Sequence, residues 1–314
     1  MKQKIILSIG ARDEAFDSMY DALQQVADVQ ITGLYDYCLK DADIFIGKKM
    51  DEAKLSEANR LKAVFAYKTG VDDFPLDKLS EKRITVCNSH ANSDCIAEYA
   101  FGLAMALVHR TVEFDAAMRD GDWKMSDPFW QSLFEMKIGL VGYGSIGKAI
   151  AKILKANGIS IYTIDRGKNY DGINTASSLE ELCDICDLLI LSLPRTPDTD
   201  GMFDKSIFCR LKGKYVVNVG RSNCINEADF YDALNSKQLR GAAIDTWQRK
   251  PVGDEPLKPF TQPFDALDNI ILASHKATFV ASGHRRYVED TLQNVLQYLN
   301  GKPLRNVINP KLGY

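Results

Sequence analysis

Apolar residues along the chain follow two spacings that take turns. Residues 4–9 read as a strand, and residues 13–26 as an amphipathic helix. Short apolar runs recur at 29–34, 44–46, 64–66 and 84–87, separated mostly by helix-like stretches such as 52–59. Strands alternating with helices imply a parallel sheet covered by helices on its faces. From 92 to 119 the pattern becomes helical: Ile96, Ala97, Ala100, Leu103, Ala104, Leu107 and Val108 recur at helical spacing. This predicts one long helix, buried on more than one side, suited to bridging domains or subunits and ended by Gly121-Asp122. A second alternating run then sets in, with strands at 137–141, 158–164, 188–193, 215–219, 242–244 and 270–273 and helices at 147–157 and 227–235. A last helix over 282–300 is closed by Gly301 and Pro303.

Composition narrows this α/β reading. A chain of 314 residues leaves room for two domains, and 46% hydrophobic with 26% charged residues is ordinary for a soluble globular protein. The net charge of -3 and the absence of any basic run longer than two argue against a nucleic-acid or membrane-surface partner. The four basic pairs, Lys48-Lys49 among them, read as solvated surface. There is no cleavable leader pattern at the N-terminus and no apolar stretch of about 18 residues. The seven cysteines are odd in number and lie mostly in or beside apolar segments, so free thiols in a reducing cytoplasm are expected.

The most specific local signal is Gly142-Tyr143-Gly144-Ser145-Ile146-Gly147, a G-x-G-x-x-G that follows an apolar strand and opens an amphipathic helix. The first glycine permits a tight turn, the second lets a pyrophosphate approach the backbone, and the third lets helix pack on strand. The helix start then offers free N–H groups and a partial positive charge to phosphates. Asp165 ends the next strand, where its carboxylate can accept from ribose hydroxyls and repel a 2′-phosphate. That favours NAD over NADP, with Arg166 beside it as the opposing feature. The bland reading is a glycine turn followed by a surface aspartate.

A set of further blocks falls in a consistent order: Thr69-Gly70-Val71-Asp72, Ala97-Glu98, Gly121-Asp122-Trp123, the glycine loop, Leu193-Pro194-Arg195-Thr196-Pro197, Asn218-Val219-Gly220-Arg221, Gly241-Ala242-Ala243-Ile244-Asp245 and Ser274-His275-Lys276. Through these blocks the chain resembles the D-2-hydroxyacid dehydrogenases from about residue 61 to 299. The first 60 residues carry the βα pattern but little recognisable sequence. The resemblance implies two doubly wound parallel-sheet α/β domains, with a Rossmann NAD domain (99–284) inserted into a flavodoxin-like substrate domain (1–98 plus 285–314). Substrate would bind in the cleft. The helix from Asn92 would help form a homodimer.

The resemblance also assigns roles. Arg221 would bind the substrate carboxylate, which its planar fork suits, and polarise the keto oxygen. His275 would be the acid/base, since an imidazole near neutrality can donate a proton to a forming alkoxide and recover it in reverse. Thr69 and Gly70 would hold the carboxylate through backbone N–H groups, with Thr69 also near the nicotinamide. Tyr67 and Lys68 would shape the pocket. Gly142, Gly144, Ser145, Ile146, Gly147, Asp165, Leu193, Pro194, Val219, Gly220 and Asp245 would contact the cofactor, Asp245 at its nicotinamide end. A surface arginine and a structural histidine are the plain alternatives for Arg221 and His275.

One departure stands out. Five positions after Asp245 the family usually has a glutamate that pairs with the histidine, and here that residue is Lys250. A cation there would lower the histidine pKa where a carboxylate would raise it. Either Lys250 takes that place, or the loop is re-routed so that Asp254 or Glu255 supplies the acid, or the activity is altered or lost. The expected activity is interconversion of a 2-oxo acid and a D-2-hydroxy acid with NAD. The alternatives are a formate-dehydrogenase-like enzyme, whose usual glutamine is absent at 250, and an NAD(H)-sensing binding protein with little turnover. Cys183-x-x-Cys186 reads as helix-to-strand packing, because no second pair follows at zinc spacing. His90, His109 and His284 give no ligand pattern, and no metal is expected. Trp123, Phe129 and Trp130 are expected to pack near the domain junction, or one of them to line the cleft.

Overall fold

A computed structural model describes residues 2–123, 129–168, 170, 172–249, 256–310 and 312–314. The chain divides into two units, one formed by Met1–Asn92 with Val280–Tyr314 and the other by Ser93–Phe279. Each is built on a sheet whose strand pairs are all parallel.

The first unit carries β1 (Lys4–Ile9), β2 (Asp28–Gly33), β3 (Ile44–Gly47), β4 (Ala63–Ala66) and β5 (Thr85–Cys87) in the order β2-β1-β3-β4-β5. β1, β3 and β4 are buried nearly along their whole length because both faces of the sheet are covered there, whereas the edge strand β2 is not buried. Ile5, Leu7, Ile44, Ile46 and Phe65 pack against α1 (Glu14–Gln24) and α10 (Gly283–Leu299). The alternate residues Ile6, Phe45, Val64 and Val86 face α2 (Glu52–Ser56) and α3 (Leu76–Glu81). The period-2 geometry of a strand thus sorts one run of sequence into two cores. After α10 the tail returns beside β5, where the Ile308 N–H donates to the Val86 carbonyl at 2.8 Å.

The second unit has seven strands: β6 (Lys137–Val141), β7 (Ser160–Ile164), β8 (Asn174–Ala176), β9 (Leu188–Leu191), β10 (Tyr215–Asn218), β11 (Gly241–Ile244) and β12 (Ile270–Leu272). Their order is β12-β11-β10-β9-β6-β7-β8. This is the doubly wound dinucleotide-binding order with one added strand, and its direction reverses between β6 and β9. α4 (Ser93–Val108) and α6 (Ser145–Ala156) cover one face. Small residues of α4, Ala97, Ala100 and Ala104, are fully buried and let it lie close to the sheet and α6. α7 (Leu179–Ile185), α8 (Lys205–Arg210) and α9 (Glu227–Asn235) cover the other face.

Two expectations are corrected. The helix expected over 92–119 is broken: α4 ends at Val108, and α5 (Thr111–Arg119) starts after Arg110, which lies at φ 55° in the left-handed region. A left-handed residue cannot continue a right-handed helix. The Arg110 side chain folds forward onto Glu113, with Nε 2.8 Å from a carboxylate oxygen. Trp123, Phe129 and Trp130 are not packed away but are 71%, 94% and 52% exposed. β8 is the element least visible in sequence, because Asn174-Thr175-Ala176 is a polar edge strand with no apolar alternation.

Candidate active site

In an open α/β sheet, ligands bind beyond the carboxyl ends of the strands, where strand order reverses. In the second unit that place lies between the ends of β6 and β9. Gly142 follows β6 at φ 102°, and a Cβ there would sit 3.1 Å from the Ser192 backbone just after β9. The Ser192 hydroxyl donates to the Gly142 carbonyl at 3.0 Å and ties the two strand ends together. At Gly147 a Cβ would fall 2.1 Å from the Gly142 oxygen, so only glycine permits this close approach. Gly144, by contrast, faces open space: a Cβ there would meet nothing within 4 Å. It also precedes α6 without providing a side-chain cap. α1, α7 and α9 have such a cap, from Asp13, Ser178 and Asn226. The first N–H groups of α6 therefore keep their hydrogen-bonding capacity for a ligand, which fits a dinucleotide pyrophosphate.

The flanking residues frame the same edge. Asp165 is exposed at the end of β7, and one of its oxygens accepts the Gly167 N–H at 2.8 Å. Tyr170, buried beside it, accepts the Arg166 N–H at 2.7 Å and stacks edge-on with Tyr143 at 5.3 Å. After β9, Leu193 and Pro194 are half-buried, and the Thr199 hydroxyl donates to the Pro194 carbonyl at 2.8 Å. Gly220 backs onto this loop, because a Cβ there would lie 2.6 Å from the Leu193 nitrogen.

Arg221, Asp245 and His275 follow the carboxyl ends of three neighbouring strands, β10, β11 and β12. Arg221 is half-buried and His275 exposed. The turn carrying Arg221 is fixed from behind: Asn218, fully buried, accepts the Gly220 N–H at 2.9 Å and donates to the Arg221 carbonyl at 3.2 Å. The Cys224 thiol donates to the same carbonyl at 2.9 Å. Burial pushes that thiol up to about 12, so it stays protonated and able to donate.

Asp245 performs a similar service for His275. It is 1% exposed, and its two oxygens accept the Lys276 N–H at 2.9 Å and the Ala277 N–H at 3.2 Å. His275 itself lies at φ 57°. A left-handed conformation at a non-glycine residue costs on the order of 1 kcal/mol. It persists here because Asp245 clamps the next two N–H groups. Burial holds the Asp245 carboxyl above the usual range, while these hydrogen bonds pull it back down. Lys250, Asp254 and Glu255 lie outside the described residues.

In the first unit, Thr69 and Gly70 follow β4 and are half-buried. The Thr69 hydroxyl is 2.9 Å from the Tyr287 hydroxyl of α10, and its carbonyl accepts from the Asn88 side chain. Neither Tyr287 nor Asn88 stands out in sequence. They reach Thr69 across gaps of 218 and 19 residues, and no local pattern encodes that. Asn218 lies inside a motif block, yet only the structure shows its two-sided grip. Cys183 and Cys186 are buried under the sheet with thiols pushed up to about 12, as packing residues. Among the described residues no cluster of histidine, cysteine and carboxylate side chains is suited to a metal.

Comparison with known proteins agrees with this geometry. The sequence model for the NAD-binding domain of the D-isomer specific 2-hydroxyacid dehydrogenases matches residues 101–277. A hydroxyphenylpyruvate reductase of Plectranthus scutellarioides is 30% identical, over 81% of this chain and 80% of that one. A D-3-phosphoglycerate dehydrogenase of Methanocaldococcus jannaschii is 27% identical over 97% of this chain, which spans 60% of that longer relative. A crystal structure of a Pyrococcus horikoshii protein superposes with a TM-score of 0.86 at 26% identity, covering 99% of this chain and 96% of that one. The glycine loop, the uncapped α6 and the three strand ends are thus held by a nicotinamide-dinucleotide domain, and the chain belongs to the D-isomer specific 2-hydroxyacid dehydrogenase family.

Proposed function

We propose that the protein reduces a 2-oxo acid to its D-2-hydroxy acid with NADH, and catalyses the reverse reaction with NAD. The observation that carries this reading is the placement of Arg221, Asp245 and His275 at the ends of three adjacent strands, on the edge that bears the glycine loop. The cofactor supplies the hydride. The Arg221 guanidinium pairs with the substrate carboxylate and draws charge from the keto oxygen. The His275 imidazolium gives its proton to that oxygen as the alkoxide forms, and is left neutral. Asp245 holds the backbone that aims the imidazole, and lies toward the nicotinamide end. The backbone N–H groups of Thr69 and Gly70 serve the carboxylate. Gly142, Gly144, Ser145, Ile146 and Gly147 take the pyrophosphate, and Leu193, Pro194, Val219 and Gly220 line the cofactor.

Asp165 favours NADH over NADPH, because its exposed carboxylate repels a 2′-phosphate. We also assign a homodimer to the segment from α4 onward. Met105, Val112, Met118, Trp123, Phe129, Trp130 and Phe134 are all exposed there, an apolar load that a lone surface rarely carries. All seven cysteines are free thiols, in keeping with a reducing cytoplasm. Among the described residues no helix is long and apolar enough to cross a membrane.

The test is NADH oxidation against a panel of 2-oxo acids. Turnover is expected, with His275→Ala lowering kcat by about 10²–10⁴-fold and Arg221→Ala raising KM as well as lowering kcat. Tight NADH binding with no turnover on any member of the panel would overturn the reading in favour of a nicotinamide-sensing protein.

A further inference from the structure

Along α10, Gly283, Tyr287 and Asp290 recur at steps of four and three, so they share one face of the helix. Each meets a segment that follows a strand of the first unit. The Gly283 carbonyl accepts from the Asn92 side chain at 3.0 Å, and Asp290 accepts from the Ser89 hydroxyl at 2.6 Å. Tyr287 lies between them. Its ring is packed in the same core as Phe65 and Tyr67, and its hydroxyl reaches to 2.9 Å from that of Thr69.

Residues 68–70 turn their acceptors inward. The Lys68 carbonyl accepts the Ser89 N–H at 3.1 Å, and the Thr69 carbonyl accepts from the Asn88 side chain. Asn88 is itself held: its N–H donates to the Asn306 carbonyl at 3.2 Å, and its carbonyl accepts from the Asn306 side chain at 3.4 Å. The donors are treated differently. Among the described residues the N–H groups of Thr69 and Gly70 have no acceptor. A half-buried turn that has used its carbonyls and kept its N–H groups is a receptor for an anion. The Thr69 side chain adds to it. Of the two hydroxyls a phenol is the more acidic and the better donor. With Tyr287 donating, Thr69 keeps its own hydroxyl proton as a third donor, and the contact holds its side chain in one of three rotamers.

We infer that Tyr287 is a positioning residue for the substrate carboxylate, holding Thr69 so that its hydroxyl joins the N–H groups of Thr69 and Gly70 on the acid. This rests on the proposed function for the identity of the anion.

The test reads KM and kcat for the best 2-oxo acid of the panel, and the Kd of oxamate in the NADH-loaded protein by calorimetric titration. Oxamate has the carboxylate of a 2-oxo acid, but its amide carbonyl resists hydride. Tyr287→Phe keeps the ring in the core and removes only the hydroxyl. It should raise KM and the oxamate Kd about 3- to 10-fold, the range of one neutral hydrogen bond. The loss should fall in KM rather than kcat, because carboxylate binding is shared by ground and transition states. NADH affinity should stay at the parent value. A double-mutant cycle separates positioning from packing. In Thr69→Val the phenol has lost its partner, so adding Tyr287→Phe should weaken oxamate no further. In Thr69→Ser, which keeps a hydroxyl, it should still weaken oxamate. An oxamate Kd that Tyr287→Phe leaves unmoved, or equal losses in the parent and Thr69→Val backgrounds, would overturn the inference while leaving 2-oxo acid reduction intact. If no 2-oxo acid turns over, the titration decides alone. Oxamate binding that depends on Tyr287 through Thr69 would then support the carboxylate site and sink the proposed reaction, and binding that is absent or independent of Tyr287 would sink both.

Discussion

The two units solve one topological problem in opposite ways. Both are doubly wound parallel sheets, and both reverse strand order beside the first strand, where a helix begins right after the strand ends. In the second unit that helix, α6, starts bare at Gly144. In the first unit the matching helix, α1, is capped by its own Asp13. The bare start keeps backbone N–H groups and the positive end of the helix for a phosphate. The capped start has committed one of them internally, to the Asp13 side chain. The lesson is that the fold supplies a crevice while the cap residue decides what it holds.

The sharpest way to break the comparison is to put a methyl group on a glycine packed near the end of the first strand in each unit. Gly147→Ala drives a Cβ to 2.1 Å from the Gly142 carbonyl oxygen. Backbone cannot yield as a side chain can, so a loss of about 3 kcal/mol is expected, at the upper end for overpacking. NADH affinity should collapse with it, by fluorescence titration. Gly10→Ala in the first unit meets the Leu34 side-chain tip at 3.1 Å, which can rotate away. Thermal unfolding should show a small change there, within about 0.5 kcal/mol. Similar losses in the two variants would mean that the two strand ends are not differently packed.

A medium effect should come from the two aspartates that organise backbone. Asp245 is buried and serves two N–H groups, whereas Asp13 is half-exposed and serves one. Asp245→Asn turns an amide NH2 toward one of the two N–H groups and leaves it unpaired, at a cost of about 2 kcal/mol. It also loosens the turn at His275, so kcat should fall. The pH dependence follows from burial, which raises the Asp245 pKa in the fold. The folded chain then holds this proton more tightly than the unfolded one. The stability it contributes is complete below the unfolded value of about 3.9 and is lost as pH rises through the higher folded value. Denaturant midpoints taken upward from about pH 4 should therefore decline more steeply in the parent than in Asp245→Asn, and parallel curves would sink the assignment.

How much of this can be read in the chain depends on how local each requirement is. Gly142, Gly144 and Gly147 are legible because a tight turn, an open approach and a close packing contact each demand glycine within six residues. The strands are legible because burial on both faces writes continuous apolar runs. The break at Arg110 is not legible, because the apolar spacing runs up to Val108 and only backbone conformation reveals the stop. β8 is hidden because an edge strand of Asn-Thr-Ala has no apolar signature. The Asp13–His284 pair is hidden because its members are far apart in sequence. Asp13 and His284 are brought together by α1 and α10, from opposite ends of the chain. Tyr287 and Asn88 behind Thr69 are hidden for the same reason.

The smallest effect belongs to the cap itself, and it discriminates between two accounts of Asp13. Asp13→Ala removes the acceptor for the Phe16 N–H and should cost about 1 kcal/mol, the ordinary value of an N-cap. Asp13→Asn keeps an oxygen in that place and loses only the negative charge toward His284 and Lys48, so it should cost a few tenths. If thermal unfolding gives the order parent, Asn, Ala with a clear gap before Ala, the cap is what closes the start of α1. If Asn and Ala fall together, the charge matters more than the cap, and the contrast with α6 would have to be redrawn as one of sign rather than of hydrogen-bond supply.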